Sequence, residues 1–417
     1  MINQNFLHFS QITIHKMRQL YYIVVALLLC GACDKQGGYV IRGSFPGLKD
    51  GMIVKLNQIE DPFNEINLSI DTVRNGQFEL KGVTPSPVFC KITISNKDLV
   101  TDKKEIKNNG TLLFLDNSKM ELQAEHYDSL SYIIFMHPLS TRGKAKVTGG
   151  PLQTEFNHYR EVLQPLEADV DIPSSKLLEA RFYKHQYSPE EYSKLYEEQY
   201  PLLLSRQAKV DAARMDFIRQ YPTSPLSLYI AETLINTEFS RTKEELEELS
   251  RITAHVEDSV RKPRFLKRLE LAQFQYKGVI YTDLSLETPT GENVKLSEHI
   301  QPGRYTILDF WASWCGPCKA AIPSIKKLYN EYSREMLDVI SVSVDEKNAD
   351  WQKALKEEKM EWAQLRAAQR ENMMELSFKY NLLSIPRLML VDPEGKVVFS
   401  GNDADALRLT FKQLVRE

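Results

Sequence analysis

Asp309-Phe-Trp-Ala-Ser-Trp-Cys-Gly-Pro-Cys318 is the stretch of sequence that decides the fold of the C-terminal part of this chain. An apolar run precedes the first cysteine, and a helix is predicted from the second cysteine to about Tyr332. Two thiols at this spacing at the start of a helix can share one disulfide. The free backbone N–H groups and the dipole of the helix stabilise a thiolate at Cys315. The spacing therefore predicts Cys315 as the attacking nucleophile and Cys318, one turn deeper, as the resolving thiol.

Two other uses of this cysteine pair are weighed against redox chemistry. A zinc site would need a second pair of Cys or His ligands, but the chain has no second CxxC and none of its eight His residues is suitably spaced near the motif. A purely structural disulfide remains an alternative. Redox chemistry is favoured, with no metal and no bound cofactor.

The surrounding pattern predicts an α/β domain over residues 276–417. Two buried strands, two helices, a hairpin through Pro393-Glu394-Gly395 and a closing helix follow one another; they are assigned to 304–310, 338–344, 348–359, 370–380, 387–400 and 403–416. With the helix that follows the cysteines, this is the β-α-β-α-β-β-α order of a thioredoxin fold.

Trp314-Cys-Gly-Pro-Cys-Lys319 resembles the active-site signature of the thioredoxin superfamily. The best match is the exported TlpA/ResA-like subgroup, among redoxin lipoproteins of the AhpC/TSA type. The resemblance implies that Asp309 is the buried acid that takes and returns the proton of Cys318. It also implies a cis-proline at Ile385-Pro386 that faces the disulfide. The substrate-binding residues implied by the family are Trp314, Gly316, Pro317, Ile385 and Pro386.

Some positions depart from the family or leave a plainer interpretation open. Ala321 stands where the subgroup often has a Glu, so the substrate specificity linked to that Glu does not carry over. Ala312 stands where peroxidases of this fold need Thr or Ser, which argues against a peroxidase. Asp309 could be an ordinary acid at a strand end, and Pro386 an ordinary proline that begins a strand.

Two further segments precede the C-terminal domain. Residues 38–147 contain many short β-rich runs and are predicted to form a β-sandwich, with a hairpin at Asn75-Gly76. This strand order resembles an uncharacterised domain that often precedes exported thioredoxins. Residues 150–270 show helical periodicity and are predicted to be an α-helical spacer. Its Tyr residues are expected to line one helix face, either packing against neighbouring helices or forming an aromatic binding strip; they are Tyr183, Tyr187, Tyr192, Tyr196 and Tyr200.

The N-terminus has the pattern of an export signal. Residues 20–29 form a short apolar run after Lys16 and Arg18, too short to span a membrane. Gly31-Ala32-Cys33 then resembles a lipobox, which makes Cys33 the candidate lipidation site. Residues 1–33 are therefore interpreted as a signal peptide, with Met17 as an alternative start. An ordinary cleaved signal and, less favoured, a cytosolic protein are the alternatives.

The whole chain is an ordinary globular mixture with 42% hydrophobic and 26% charged residues. A net charge of −3 gives no reason to expect nucleic-acid binding. Five cysteines are too few for a disulfide scaffold, and Cys90 is expected to be a buried apolar side chain.

The sequence thus predicts a membrane-anchored envelope thiol–disulfide oxidoreductase on the periplasmic side. Gly316-Pro317 favours a reductase of protein disulfides, which would need a membrane electron donor. A binding or scaffolding lipoprotein and a dimeric disulfide isomerase are the alternatives. The sequence leaves the oligomeric state open.

Overall fold

The computed structural model describes residues 37–61, 64–132, 145–235, 239–367 and 370–415. The predicted signal segment and Cys33 lie outside these ranges. The chain divides into two compact units, residues 1–154 and 155–417. Within the described ranges, no helix is long and apolar enough to cross a membrane.

The first unit is a sandwich of two β-sheets. Its strands are β1 Tyr39–Ser44, β2 Ile53–Asp61, β3 Asn64–Thr72, β4 Gln77–Gly82, β5 Val88–Ser95, β6 Asn108–Leu115, β7 Lys119–Gln123, β8 Ser131–Tyr132 and β9 Lys146–Thr148. One sheet has the order β4-β1-β7-β9 and the other β3-β2-β5-β6-β8. Alternate side chains, such as Ile41 from the first sheet and Val54 and Leu56 from the second, meet in one apolar core. The predicted β-rich domain is confirmed.

The Asn75-Gly76 turn forms, but it joins strands of different sheets. Both residues have positive φ, as a tight turn of this type requires, and Arg74 and Gln77 pair across it. Beyond that pair, β4 leaves β3 and pairs with β1 along six residues. The predicted two-stranded hairpin therefore stops after one bridge, and β4 becomes the edge strand of the other sheet, beside β1.

Helices make up the first part of the second unit. They are α1 Pro151–Phe182, whose first four residues precede the unit boundary, α2 Pro189–Gln220, α3 Pro225–Ile235, α4 Lys243–Ile252 and α5 Arg261–Ala272. The predicted tyrosine row on one helix is wrong for Tyr183 and Tyr187. The Ser188 hydroxyl accepts from the N–H of Glu191, whose carboxylate accepts from the N–H of Ser188. This capping box begins a new helix, so both tyrosines lie in the connection before it.

The remainder of the second unit is the predicted α/β domain. Its elements are β10 Ser285–Glu287, β11 Asn293–Lys295, β12 Tyr305–Trp311, α6 Gly316–Glu331, β13 Leu337–Ser343, α7 Asn348–Glu358, β14 Ala363–Arg366, α8 Arg370–Lys379, β15 Arg387–Val391, β16 Val397–Gly401 and α9 Ala404–Leu414. The sheet order is β11-β10-β14-β13-β12-β15-β16. β13 is parallel to β12 and β15 is antiparallel to it. Strand β14 was not predicted, because its four residues, Ala-Gln-Leu-Arg, carry no β-branched signal.

The helical segment packs directly onto the α/β domain. Leu409 of α9 lies in one apolar cluster with Leu177 of α1 and Tyr196 of α2. Arg408, only 5% exposed, pairs with Glu197 at 3.2 Å. Phe239 enters the main core beneath the sheet. The helices and the thioredoxin-like part therefore share buried surface within one unit.

Candidate active site

The two cysteines lie at the junction of β12 and α6. Cys315 caps the helix, and the N–H of Cys318 donates to Cys315 Sγ at 3.2 Å. Pro317 is in the first helical turn, where its missing N–H costs no hydrogen bond. Cys315 and Cys318 are joined by a disulfide. The sulfur of Cys315 thus lies at the positive end of the helix dipole.

Both cysteines are buried, and the residue that precedes Cys315 is highly exposed. Cys315 is 4% and Cys318 2% exposed, and both pack with Trp311 and Trp351. Trp314, next to the nucleophile, is 70% exposed. An apolar ring at the surface beside a disulfide is available to a docking chain.

Asp309 reaches the cysteine side of the sheet because of strand alternation. Ile307 and Trp311 lie on that face, whereas Leu308 and Phe310 enter the opposite core. Asp309 is 2% exposed, and burial raises its pKa to about 7, against the lowering effect of a hydrogen bond from Ser341. A carboxyl group with such a pKa can exchange protons at neutral pH.

Ser341 and Trp362 are site residues that the sequence analysis missed. Ser341 Oγ donates to Asp309 Oδ2 at 2.7 Å, and Trp362 Nε1 donates to Ser341 Oγ at 2.8 Å. Ser341 lies opposite Asp309 in the register of β12 and β13. Ser341 and Ser343 alternate with apolar residues along β13, but this pattern does not identify Asp309 as the partner of Ser341.

Asp345 holds the loop in front of Cys315 and was also missed. Its carboxylate accepts from the N–H of Ser313 at 2.9 Å, from Ser313 Oγ at 2.6 Å and from Ser343 Oγ at 2.7 Å. The buried Arg366 donates to the carbonyl of Asp345 at 3.2 Å and pairs with Glu287 at 2.7 Å. This network fixes the approach of the chain to the nucleophile.

The Ile385-Pro386 peptide bond is cis, as the resemblance implies. Ile385 packs against the cysteine cluster and helps to line a groove of about 1060 Å³. Trp314 and Leu383, which is 77% exposed, also line this groove. Gly316 and Pro317 follow Cys315 in sequence and begin α6.

The described residues include one free cysteine, Cys90, in the core of the sandwich. Burial raises the pKa of its thiol, which keeps it protonated and unreactive. Among the residues the structure describes, no cluster of three or more His, Cys, Asp or Glu side chains could hold a metal ion.

Two family models match separate parts of the chain. Residues 303–397 match the thioredoxin-like family model. Residues 39–156 match a domain of unknown function. The first match contains both cysteines, Asp309 and the cis-proline, and the second covers the β-sandwich.

Several thiol–disulfide oxidoreductases are similar to the C-terminal part. The thiol-disulfide oxidoreductase ResA of Bacillus subtilis is 26% identical over 113 residues, which cover 27% of this chain and 60% of ResA. The thioredoxin-like protein YneN of Bacillus subtilis is 31% identical over 126 residues, 28% of this chain and 65% of YneN. Among solved structures, the thioredoxin domain of a thiol-disulfide oxidoreductase from Bacteroides vulgatus is 30% identical, with a TM-score of 0.31 over 33% of this chain and 96% of that chain.

The chain thus spans less than two thirds of the length of the two Bacillus relatives described above. Together with the family match, the two Bacillus relatives confirm the predicted resemblance for the C-terminal part. The protein carries a C-terminal thioredoxin-like domain of the kind found in ResA-like thiol–disulfide oxidoreductases, preceded by a helical segment and an N-terminal domain of unknown function.

Proposed function

We propose that this protein is a thiol–disulfide oxidoreductase that reduces disulfides in other proteins. The observation that carries the proposal is the position of Cys315 at the N-terminus of α6, bonded to Cys318 and beside a groove. A helix N-terminus stabilises the thiolate that must attack. Trp314 and Ile385 line this groove, which suits an extended protein segment better than a small ligand.

The reaction begins with the protein in its dithiol form. The Cys315 thiolate attacks one sulfur of the substrate disulfide, forms a mixed disulfide and releases the other substrate sulfur, which takes up a proton. Cys318 then loses its proton to Asp309 and attacks Cys315 Sγ. The second substrate sulfur leaves as a thiolate and takes up a proton, Asp309 gives up the proton that it received, and the Cys315–Cys318 disulfide forms. Two electrons pass from the dithiol to the substrate, so an external dithiol must reduce the protein again.

The location and the electron donor belong to the same proposal. The apolar run at 20–29 and the small residues before Cys33 support export and lipid anchoring on the periplasmic side of the envelope. A membrane dithiol protein would then be the electron donor. Replacing Cys33 by Ala is expected to abolish incorporation of labelled fatty acid and to release the protein from the membrane. Continued labelling of Cys33→Ala would contradict lipidation at this residue.

Trapping of the mixed disulfide tests the assigned roles of the cysteines. A Cys318→Ser variant cannot resolve the intermediate, so it should accumulate in covalent complexes with a disulfide-containing protein, and dithiothreitol should release them. The matched Cys315→Ser variant should form at least tenfold fewer complexes. Equal trapping by both variants would refute the assignment of Cys315 as nucleophile.

A further inference from the structure

Two consecutive hydrogen bonds between buried polar groups connect Asp309 to Trp362. Ser341 Oγ lies 2.7 Å from Asp309 Oδ2 and 2.8 Å from Trp362 Nε1. Ser341 is completely buried, and Trp362 is 6% exposed. Trp362 is held by the apolar cluster that contains Ile322 and Leu388, and its ring centroid lies 5.3 Å from that of Tyr329.

The chemistry of the three groups fixes the direction of both hydrogen bonds. An indole N–H can only donate, so Ser341 Oγ must accept from Trp362. The single hydrogen of the Ser341 hydroxyl is then free for one acceptor. Asp309 Oδ2 is a much stronger acceptor than the other candidate, the sulfur of Met360 at 4.0 Å. When Asp309 is ionised, the hydroxyl hydrogen therefore points at its carboxylate.

We propose that Ser341 and Trp362 are positioning residues for Asp309. The indole of Trp362 orients the Ser341 hydroxyl, and this hydroxyl stabilises the charged form of the buried carboxyl group. This inference rests on the proposed function for its biological meaning, since it concerns the acid that takes the proton of Cys318. Its physical content, the proton affinity of Asp309, is independent of any substrate.

The surroundings of Asp309 make the Ser341 hydroxyl important. Burial and the Ser341 hydrogen bond are the causes of its shifted pKa, and no charged side chain in the described part of the chain contributes. Its ladder neighbours are Ser341 on β13 and the apolar Leu388 on β15. The thiols of Cys315 and Cys318 can titrate only after the disulfide is reduced. In the oxidised protein Asp309 can therefore be titrated without interference from them.

The test is a direct titration of the Asp309 carboxyl group in the full-length, oxidised protein by carbon NMR. Ser341→Ala should raise its pKa by about 1 to 2 pH units, because a hydrogen bond to a charged group is lost. Ser341→Thr keeps a hydroxyl and should restore most of the wild-type value. Trp362→Phe keeps an aromatic ring but lets the hydroxyl rotate, so it should give a smaller rise in the same direction.

Thr306→Val is the matched control. Thr306 is completely buried on β12 and its hydroxyl has no hydrogen-bond partner among the residues that the structure describes, so its loss should leave the Asp309 titration unchanged. The proposal is overturned if Ser341→Ala shifts the titration by less than about 0.3 pH unit, or if Thr306→Val shifts it equally. An unchanged titration in Trp362→Phe would overturn the part assigned to the indole.

A second readout separates this inference from the proposed function. The pH at which Cys318 resolves a mixed disulfide at half its maximal rate should rise in Ser341→Ala in parallel with the Asp309 titration. If the protein has no exchange activity, the proposed function fails, while the NMR shift still tests the inference. If exchange occurs but its pH profile stays fixed while the Asp309 titration moves, Asp309 does not handle the proton.

Discussion

At the scale of single residues, the buried Asp309 couples stability to pH. Its pKa is about 7 in the folded protein against an ordinary value of 3.8. Between these values the folded state holds a proton that the unfolded state has released. The contribution of Asp309 to stability is therefore full below about pH 4, is lost as the pH rises through 7, and is then constant at its least favourable value.

Asp309→Asn should remove this pH dependence. At pH 8 the variant lacks the buried negative charge, so its free energy of unfolding should exceed that of the wild type, by at most about 4 kcal/mol. At pH 5 this advantage should have fallen to less than half of its value at pH 8. Urea unfolding of both oxidised proteins at the two pH values measures the difference, in which contributions from other titrating groups cancel. A difference that is the same at both values would contradict the raised pKa.

Functional residues could be predicted from the sequence where they lie together in a short local motif. Cys315, Cys318 and Asp309 lie within one stretch of sequence, and a family resemblance assigned their roles. Ser341, Trp362 and Asp345 contact that stretch only through the fold, from positions on or after the neighbouring strand. No local pattern announces such partners, because strand register determines which side chain lies opposite Asp309.

At the scale of elements, the loop between β12 and α6 depends on Asp345. Three hydrogen bonds from Ser313 and Ser343 end on its carboxylate, and Asp345 is only 2% exposed. Without this acceptor, the buried Ser343 hydroxyl and the partly buried Ser313 donors would each lose a hydrogen-bond partner. The loop carries Cys315 at its end, so its order and the access to the sulfur are linked.

Asp345→Ala should therefore lower the free energy of unfolding by about 3 kcal/mol. It should also change the rate at which dithiothreitol reduces the Cys315–Cys318 disulfide. Ser343→Ala is the control, since it removes the two hydrogen bonds between Ser343 and Asp345 and leaves both bonds to Ser313; it should cost less, about 2 kcal/mol. Unfolding and stopped-flow reduction measure the two effects. An Asp345→Ala protein as stable as the wild type would show that the loop is held by other contacts.

Helices and strands were predicted correctly where the apolar pattern was long. The prediction failed where tertiary contacts determined how strands pair or where a helix begins. The apolar runs of β12 and β13 identified buried strands correctly. The tyrosine spacing was mistaken for one helix, although Ser188-Pro189 and Glu191 already carry the signature of a helix start. The partner of β4 could not be predicted, since pairing with β1 joins segments far apart in sequence.

At the scale of the whole molecule, the helical segment stabilises the thioredoxin-like part. The buried Arg408 contacts α2, where it meets Glu197 at 3.2 Å and Ser193 Oγ at 3.1 Å. Phe239, 5% exposed, fills part of the core beneath the sheet. The long helices of this segment therefore contribute buried surface to the domain that carries the cysteines.

A fragment of residues 276–417 should fold but be less stable than residues 155–417. Loss of Phe239 alone removes a buried aromatic side chain, which contributes about 2 kcal/mol, and exposes apolar surface around Leu409. Thermal unfolding of both fragments measures the difference, and the longer fragment should have the higher Tm. Equal Tm values would mean that the helices only lie beside the domain without stabilising it.

The reduction potential of the Cys315–Cys318 pair tests the central claim most directly. The full-length protein is equilibrated in glutathione or dithiothreitol buffers, and its free thiols are counted after alkylation. The account predicts a reversible two-electron transition centred at or below about −250 mV, near the value for thioredoxin. A midpoint above roughly −180 mV would place the protein with oxidants and isomerases and contradict its role as a reductase. A pair that never exchanges with the buffer would contradict the redox function itself.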